Sequence, residues 1–393
     1  MFDRVINRLK LLKYRAYISY KKFTRSFIAY KLKNYEPYSI GVHPTIDLNS
    51  IREKTLSYVQ KMKFKNDRYF YSYSSKTPIL YASVFAALTR YLYGDYISEE
   101  EKKDWIKYIL IHQDEDGLFK DKLIANNLVE KVDWWGWRHL TVHCLMALKA
   151  FNVIAPKEFR FLEAFKDTNF VINWLESRNW YDPNSVSNEI QNYANFLQYI
   201  RDFKGKNWAQ SSLNTIFDWL DEKQNPEHGL WYGKINNKWK LSEAIQTTYH
   251  ILLPYFYDGR EVNNLDKIVD HCLAIQNKFG GFGIYANSSA CEDIDAIDIL
   301  VRAYLITDHR RKGIERALER ALRWVLRNMN ADGGFVYRRF EPRKYGHDLM
   351  YARANESEMF STWFRTLSIA YISKVLHIEI DFKFIDCPGY QFI

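Results

Sequence analysis

The sequence predicts an all-α protein: a single (α/α)6 toroid of six helical hairpins, preceded by a basic amphipathic N-terminal helix. Three observations lead there. A turn built from Gln or Asn, Gly and an aromatic residue recurs at a near-constant spacing. Amphipathic helical patterns flank each copy. Sustained period-2 alternation is nearly absent, and 16 Gly and 9 Pro in 393 residues are too few for a turn-rich all-β chain.

Residues 1–41 form the leader. Phe2, Ile6, Leu9, Leu12, Ala16, Tyr20, Phe23, Phe27 and Tyr30 recur at steps of three or four, which marks one helix face. Residues 1–40 carry ten Lys or Arg against Asp3 and Glu36, so they hold nearly all of the chain's formal charge of +9. Two readings follow. Residues 1–34 could bind an anionic membrane surface, or the helix could pack on the protein's own body. Pro37 disfavours helix at Glu36 and marks the break. The near-neutral remainder excludes a nucleic-acid footprint over the body.

Residues 42–380 carry the repeat, and 381–393 form a tail. The clear turns are Gln113–Phe119, Gln224–Trp231, Gln276–Phe282 and Asn328–Phe335. Gly229 and Gly281 lie 52 residues apart, and Gly281 and Gly334 lie 53 apart. Degenerate copies at Gln60–Tyr71 and Leu175–Tyr181 complete six. A second helix follows each turn, over Pro78–Tyr93, Trp134–Phe151, Glu189–Phe203, Glu243–Phe256, Asp293–Ile306 and Glu356–Leu376. Six such hairpins at uniform spacing favour a closed ring.

The segment Gln224-x4-Gly229-x-Trp231 resembles the QW motif of terpenoid cyclases, and the Gly-Gly-Phe turns resemble those of protein prenyltransferase β subunits. Over roughly residues 48–376 the chain is thus similar to the terpenoid cyclase/protein prenyltransferase α/α-toroid superfamily. The resemblance implies that the second helix of each hairpin lines the ring. It also implies a comparison with the D-x-D-D motif of class II cyclases, isomerase-type enzymes whose middle Asp protonates an alkene or epoxide. Asp293 matches the first Asp and Asp295 the protonating one. Ala296 stands where the family has Asp, and Asp298 follows one turn on from Asp295.

The residues themselves single out the same stretch. Glu292, Asp293, Asp295 and Asp298 place four carboxylates in seven residues, more than helix capping needs. Crowded carboxylates that cannot all ionise leave one protonated, and such a group can serve as an acid. Glu358 is a further candidate carboxylate. Trp134, Trp135, Trp137, Phe196, Tyr249, Phe360, Trp363 and Phe364 are candidate cavity walls, suited to a carbocation or a sugar ring. His139, His143, Gln191, Gln246, His250 and Arg365 are candidate polar contacts. Arg343 belongs to a basic cluster before the last helix and suits a phosphate or carboxylate.

No cofactor and no metal site is expected: Cys291 and Asp293 have the prenyltransferase zinc spacing in reversed order, and the last helix offers no His. Walker, GxGxxG, GxSxG and HExxH motifs are absent. Four scattered Cys and no apolar run of membrane-spanning length point to a cytoplasmic or peripheral-membrane protein. Three functions remain open. One is an isoprenoid-processing enzyme with Asp295 as acid. Another is a glycan-active (α/α)6-barrel hydrolase, lyase or epimerase with two central carboxylates such as Asp295 and Glu358. The third is a non-catalytic binding or assembly ring.

Overall fold

The computed structural model describes residues 25–35, 47–65 and 67–390. Most of the predicted leader helix, residues 2–24, and the break at Pro37 lie outside the described residues. Residues 25–33 are helical and form α1.

Six helical hairpins follow. Their outer helices are α2 (Leu48–Lys61), α4 (Glu99–Leu110), α6 (Thr168–Glu176), α8 (Ala209–Lys223), α10 (Leu265–Ile275) and α12 (Arg311–Arg327). Their inner helices are α3 (Leu80–Leu92), α5 (Trp137–Ala150), α7 (Pro183–Lys204), α9 (Lys238–Tyr257), α11 (Ala290–Ile306) and α13 (Met359–Leu376). Each inner helix packs on the next, and α13 packs back on α3. The ring is therefore closed, and the fold is an α/α toroid.

Burial follows the patterning. Outer helices bury a single stripe, as α12 does with Ile314, Leu318, Ala321, Leu322 and Val325 while its Arg and Glu face out. Inner helices are enclosed on nearly every face, as α13 is from Met359 to Ser373. The QW-like turns lock neighbouring repeats together. Gln224 Nε2 donates to Gly229 O inside its own turn (2.7 Å) and to Asn263 O (2.7 Å). Gln276 Nε2 does the same with Gly280 O (2.9 Å) and Ala317 O (2.8 Å). Gln113 bonds Gly117 O and accepts from Lys157 N. Trp231 Nε1 caps the Leu220 carbonyl at the end of α8 (2.7 Å). The Gln thus satisfies one repeat's turn and the next repeat's backbone at once, which explains its recurrence.

Two inner helices start earlier than the sequence pattern suggested. Helix α7 begins at Pro183 under an Asp182 cap, and α9 begins at Lys238 under Asn237. An Asp cap followed by Pro at the first helical position is a strong start signal, and it outweighed the polar composition of 183–188. Two minimal antiparallel hairpins also appear, β1 (Lys63–Lys65) with β2 (Arg68–Tyr69), and β3 (Arg343–Lys344) with β4 (Tyr351–Ala352). They are too short to leave an alternation in the sequence. No helix among the described residues is long and apolar enough to cross a membrane.

Candidate active site

All six loops that lead into inner helices lie at one mouth of the ring, so inner-helix N-termini and their positive dipole ends face that mouth. A cavity of about 350 Å3 sits there. Its walls include Trp134, His139, Gln246, Tyr249, His250, Asp295, Phe360 and Phe364. Its roof is the loop after the last QW-like turn, with Tyr337, Arg343 and Tyr345. Tyr345 Oη donates to Trp134 O (2.7 Å), Asn126 Nδ2 donates to Gly346 O (3.2 Å) and Ser72 Oγ donates to Tyr351 O (2.6 Å), tying the roof across the ring. Gly346 has φ +73°, and a Cβ there would lie 2.1 Å from the Trp135 ring, so only Gly fits.

Carboxylates at the helix starts divide sharply. Glu189 pairs with Arg178 (2.7 Å). Glu243 accepts from Tyr232 Oη (2.6 Å). Glu292 forms a capping box with Ser289 and pairs with Arg338 (2.6 Å). Asp293 is a fully committed anchor: it accepts from Phe282 N (2.9 Å), Ser288 Oγ (2.6 Å), Trp324 Nε1 (2.7 Å) and Arg365 (3.0 Å). One oxygen of Asp298 is held by Arg302 (2.6 Å). Glu358 caps α13, both its oxygens accepting from Ser361 N (3.0 and 3.1 Å).

Asp295 is different. It lines the cavity, is 3% exposed, and receives no hydrogen bond or ion pair among the described residues. Burial, reinforced by the charges of Glu292, Asp298 and Asp293, pushes its carboxyl well above the usual carboxylate range. The protein environment therefore favours the protonated form of Asp295. Asp293 acts on it only through charge.

Arg343 is the complementary outlier. Its guanidinium lies 3.8 Å from the Tyr337 ring centre and 5.3 Å from that of Tyr345. It makes no ion pair among the described residues, and its buried Nε has no partner. The cavity thus holds one untied acid and one untied cation.

Burial favours the neutral form of the imidazoles. Burial, together with the charges of His143 and His250, lowers His139 well below the usual imidazole value, and burial lowers His250 to about 3. Tyr81 Oη is 2.5 Å from Trp135 O and 2.9 Å from His139 Nδ1. The single phenol proton goes to the carbonyl, so His139 carries its proton on Nδ1 and leaves Nε2 as an acceptor.

Of the predicted site and wall residues, Asp295, Trp134, His139, Gln246, Tyr249, His250, Arg343, Phe360 and Phe364 converge on the cavity. The others are placed elsewhere. Trp135 lies buried under the roof hairpin, and Trp137 lines a separate surface groove. Trp363 and Gln191 are fully buried outside the lining. Arg365 is spent on Asp293 and on backbone carbonyls of Val336 and Tyr337. Sequence reasoning missed Tyr337, Tyr345 and Tyr390, and the α7 start from Asp182 to Asn188. The Asp-Pro cap could have revealed that start. Larger grooves of about 730 and 650 Å3 open at the opposite mouth, but Arg201, Arg260 and Arg302 in them are paired with Asp258, Asp221 and Asp298.

The sequence matches no family model and no curated protein. Among solved structures it is similar to a polysaccharide lyase, with TM-score 0.48 and 14% identity over 84% of this chain and 98% of that one. It is also similar to the GH76A α-1,6-mannanase from Salegentibacter sp. HEL1_6, with TM-score 0.48 and 12% identity over 84% and 100% of the two chains. An ent-copalyl diphosphate synthase from Streptomyces platensis matches with TM-score 0.42 and 14% identity over 76% of this chain and 50% of that one. These are likenesses of helical architecture between distant chains.

Proposed function

We propose that the protein is an isoprenoid-processing enzyme whose reaction starts when Asp295 protonates its substrate. The observation that carries this reading is the Asp295 carboxyl itself, buried without a donor against an aromatic cavity. An uncompensated buried acid costs stability, and a purely assembling ring has no need of one. Arg343 supplies the second support: it suits the diphosphate of a prenyl substrate, with inner-helix dipoles adding to the attraction. The alkene π electrons take the Asp295 proton to form a C–H bond, leaving a carbocation. Faces of Tyr249, Tyr337, Phe360 and Phe364 stabilise that cation. Loss of a neighbouring C–H proton then restores a double bond. His139 or His250 can take it, since even a weak base suffices against so strong an acid. A glycoside hydrolase would call for a second carboxylate beside Asp295, and Glu358 is engaged by Ser361.

Supplied with prenyl diphosphates of increasing length, the wild type is expected to convert at least one. Asp295→Asn is expected to lower turnover by about 10²-fold or more with an unchanged melting profile. Activity of the wild type is expected to fall as pH rises through the elevated Asp295 pKa, because the working form is protonated. Equal turnover by Asp295→Asn, or conversion of uronate oligosaccharides instead, would sink the proposal.

The same mouth is proposed to face an anionic membrane. Helix α1 docks beside it, with Arg25 against Tyr285 (2.5 Å) and Leu32 buried. Phe27 and Tyr30 on α1, Trp134 and Tyr181 on mouth loops, Trp239 in the first turn of α9 and Tyr351 on β4 stand exposed. Salt-sensitive sedimentation with vesicles containing acidic lipid is expected, and it should weaken about tenfold or more when residues 1–24 are removed. Undiminished binding would overturn this placement.

A further inference from the structure

Residues 377–390, which follow α13, do not leave the ring. The segment crosses the opposite mouth, where Lys383 N donates to Leu92 O at the end of α3 (2.8 Å), and Phe382 and Phe384 pack on Tyr93 and Tyr371. It then turns up into the bore. Ile385, Cys387 and Tyr390 are buried, and Tyr371 Oη donates to Tyr390 O. Gly389, at φ +145°, lies against α5, where a Cβ would meet Met146 Sδ at 2.5 Å. The Tyr390 ring reaches mid-height of the inner helices. It stacks on His143 (4.9 Å, 23°) and meets His139 (5.8 Å) and Phe364 (5.5 Å). It also lines the central cavity.

The segment thus touches two spaces, Tyr390 lining one and Phe384, Ile385 and Asp386 the other. Above it lies the cavity with Asp295 and Arg343. Toward the opposite mouth lies the groove of about 730 Å3, lined by Phe256, Asp258, Phe384 and Ile385. Beside it the bore keeps buried polar atoms without partners among the described residues: both side-chain atoms of Asn195, His143 Nε2 and Tyr249 Oη. A bore lined with such groups is not sealed by its own helices packing together. It is sealed by an aromatic ring brought in from outside the repeat.

We infer that Tyr390 is a specificity-determining residue: it forms the floor of the cavity and sets the length of chain that Asp295 and Arg343 can hold. The inference rests on the central cavity being the substrate chamber, as proposed above. A substrate anchored at Arg343 extends toward Asp295 and ends against Tyr390. Longer chains are excluded by the ring and not by the mouth.

The test uses the full chain and its variants Tyr390→Ala, Tyr390→Phe and Gly389→Val. Melting curves first establish that each is folded. Crystal structures of the wild type and Tyr390→Ala provide a readout without ligand: the cavity is expected to deepen toward the opposite groove. Straight-chain primary alcohols of increasing length, titrated against tryptophan fluorescence, provide the second. The longest alcohols are expected to bind about tenfold or more tightly to Tyr390→Ala than to the wild type. Gly389→Val, which pushes the segment off Met146, is expected to do the same, while Tyr390→Phe keeps the wild-type length profile. A Tyr390→Ala cavity of unchanged depth, or an unchanged length profile, overturns the inference. If the profile shifts while Asp295→Asn keeps full turnover, the floor assignment stands and the acid assignment falls.

Discussion

Three pairs of identical residues separate the turns of this toroid from its centre. Gln224, at a turn, donates one amide to two carbonyls, whereas Gln191, buried in the bore, reaches only the Tyr390 side chain. Asp293 accepts four hydrogen bonds, and Asp295, two residues on, accepts none among the described residues. Arg365 is locked onto Asp293 and three carbonyls, while Arg343 rests on tyrosine faces alone. Folding requires the first member of each pair. Nothing in the fold repays the second, and unpaired buried groups collect where a ligand will meet them.

That contrast can be broken from either side. The largest effect is expected at Arg365→Met, which strands the buried Asp293 carboxylate and should cost about 3–5 kcal/mol in denaturant unfolding. A loss below about 1 kcal/mol would mean that Asp293 is no structural anchor. Gln224→Ala comes next, leaving the Gly229 and Asn263 carbonyls without their donor, at about 1–3 kcal/mol by the same measurement. If it proves neutral, the turns are not what locks successive repeats.

Much of the fold was legible from residue pattern. The Gln-Gly-aromatic turns were visible because each must satisfy the same two backbone sites in every repeat. Amphipathic stripes marked the outer helices, and closure followed from the count. The site was legible only in part. Asp295 stood out because four acids crowd one helix start, but the sequence could not say that Asp293 would be consumed by Arg365 72 residues away. Trp135 and Trp363 looked like cavity walls since burial and cavity lining leave the same aromatic signature. Tyr390 lay beyond the last repeat, where no periodicity tells an inserted ring from a loose tail.

The Asp295 carboxyl can be observed without knowing any substrate. Infrared difference spectra between the wild type and Asp295→Asn isolate its protonated C=O band from those of other buried acids. The band is expected in the wild type at pH 7, disappearing only as pH rises above the usual carboxylate range. A wild type with no such band at pH 7, gaining one only near pH 4 where ordinary aspartates titrate, would contradict the assignment of Asp295 as the acid.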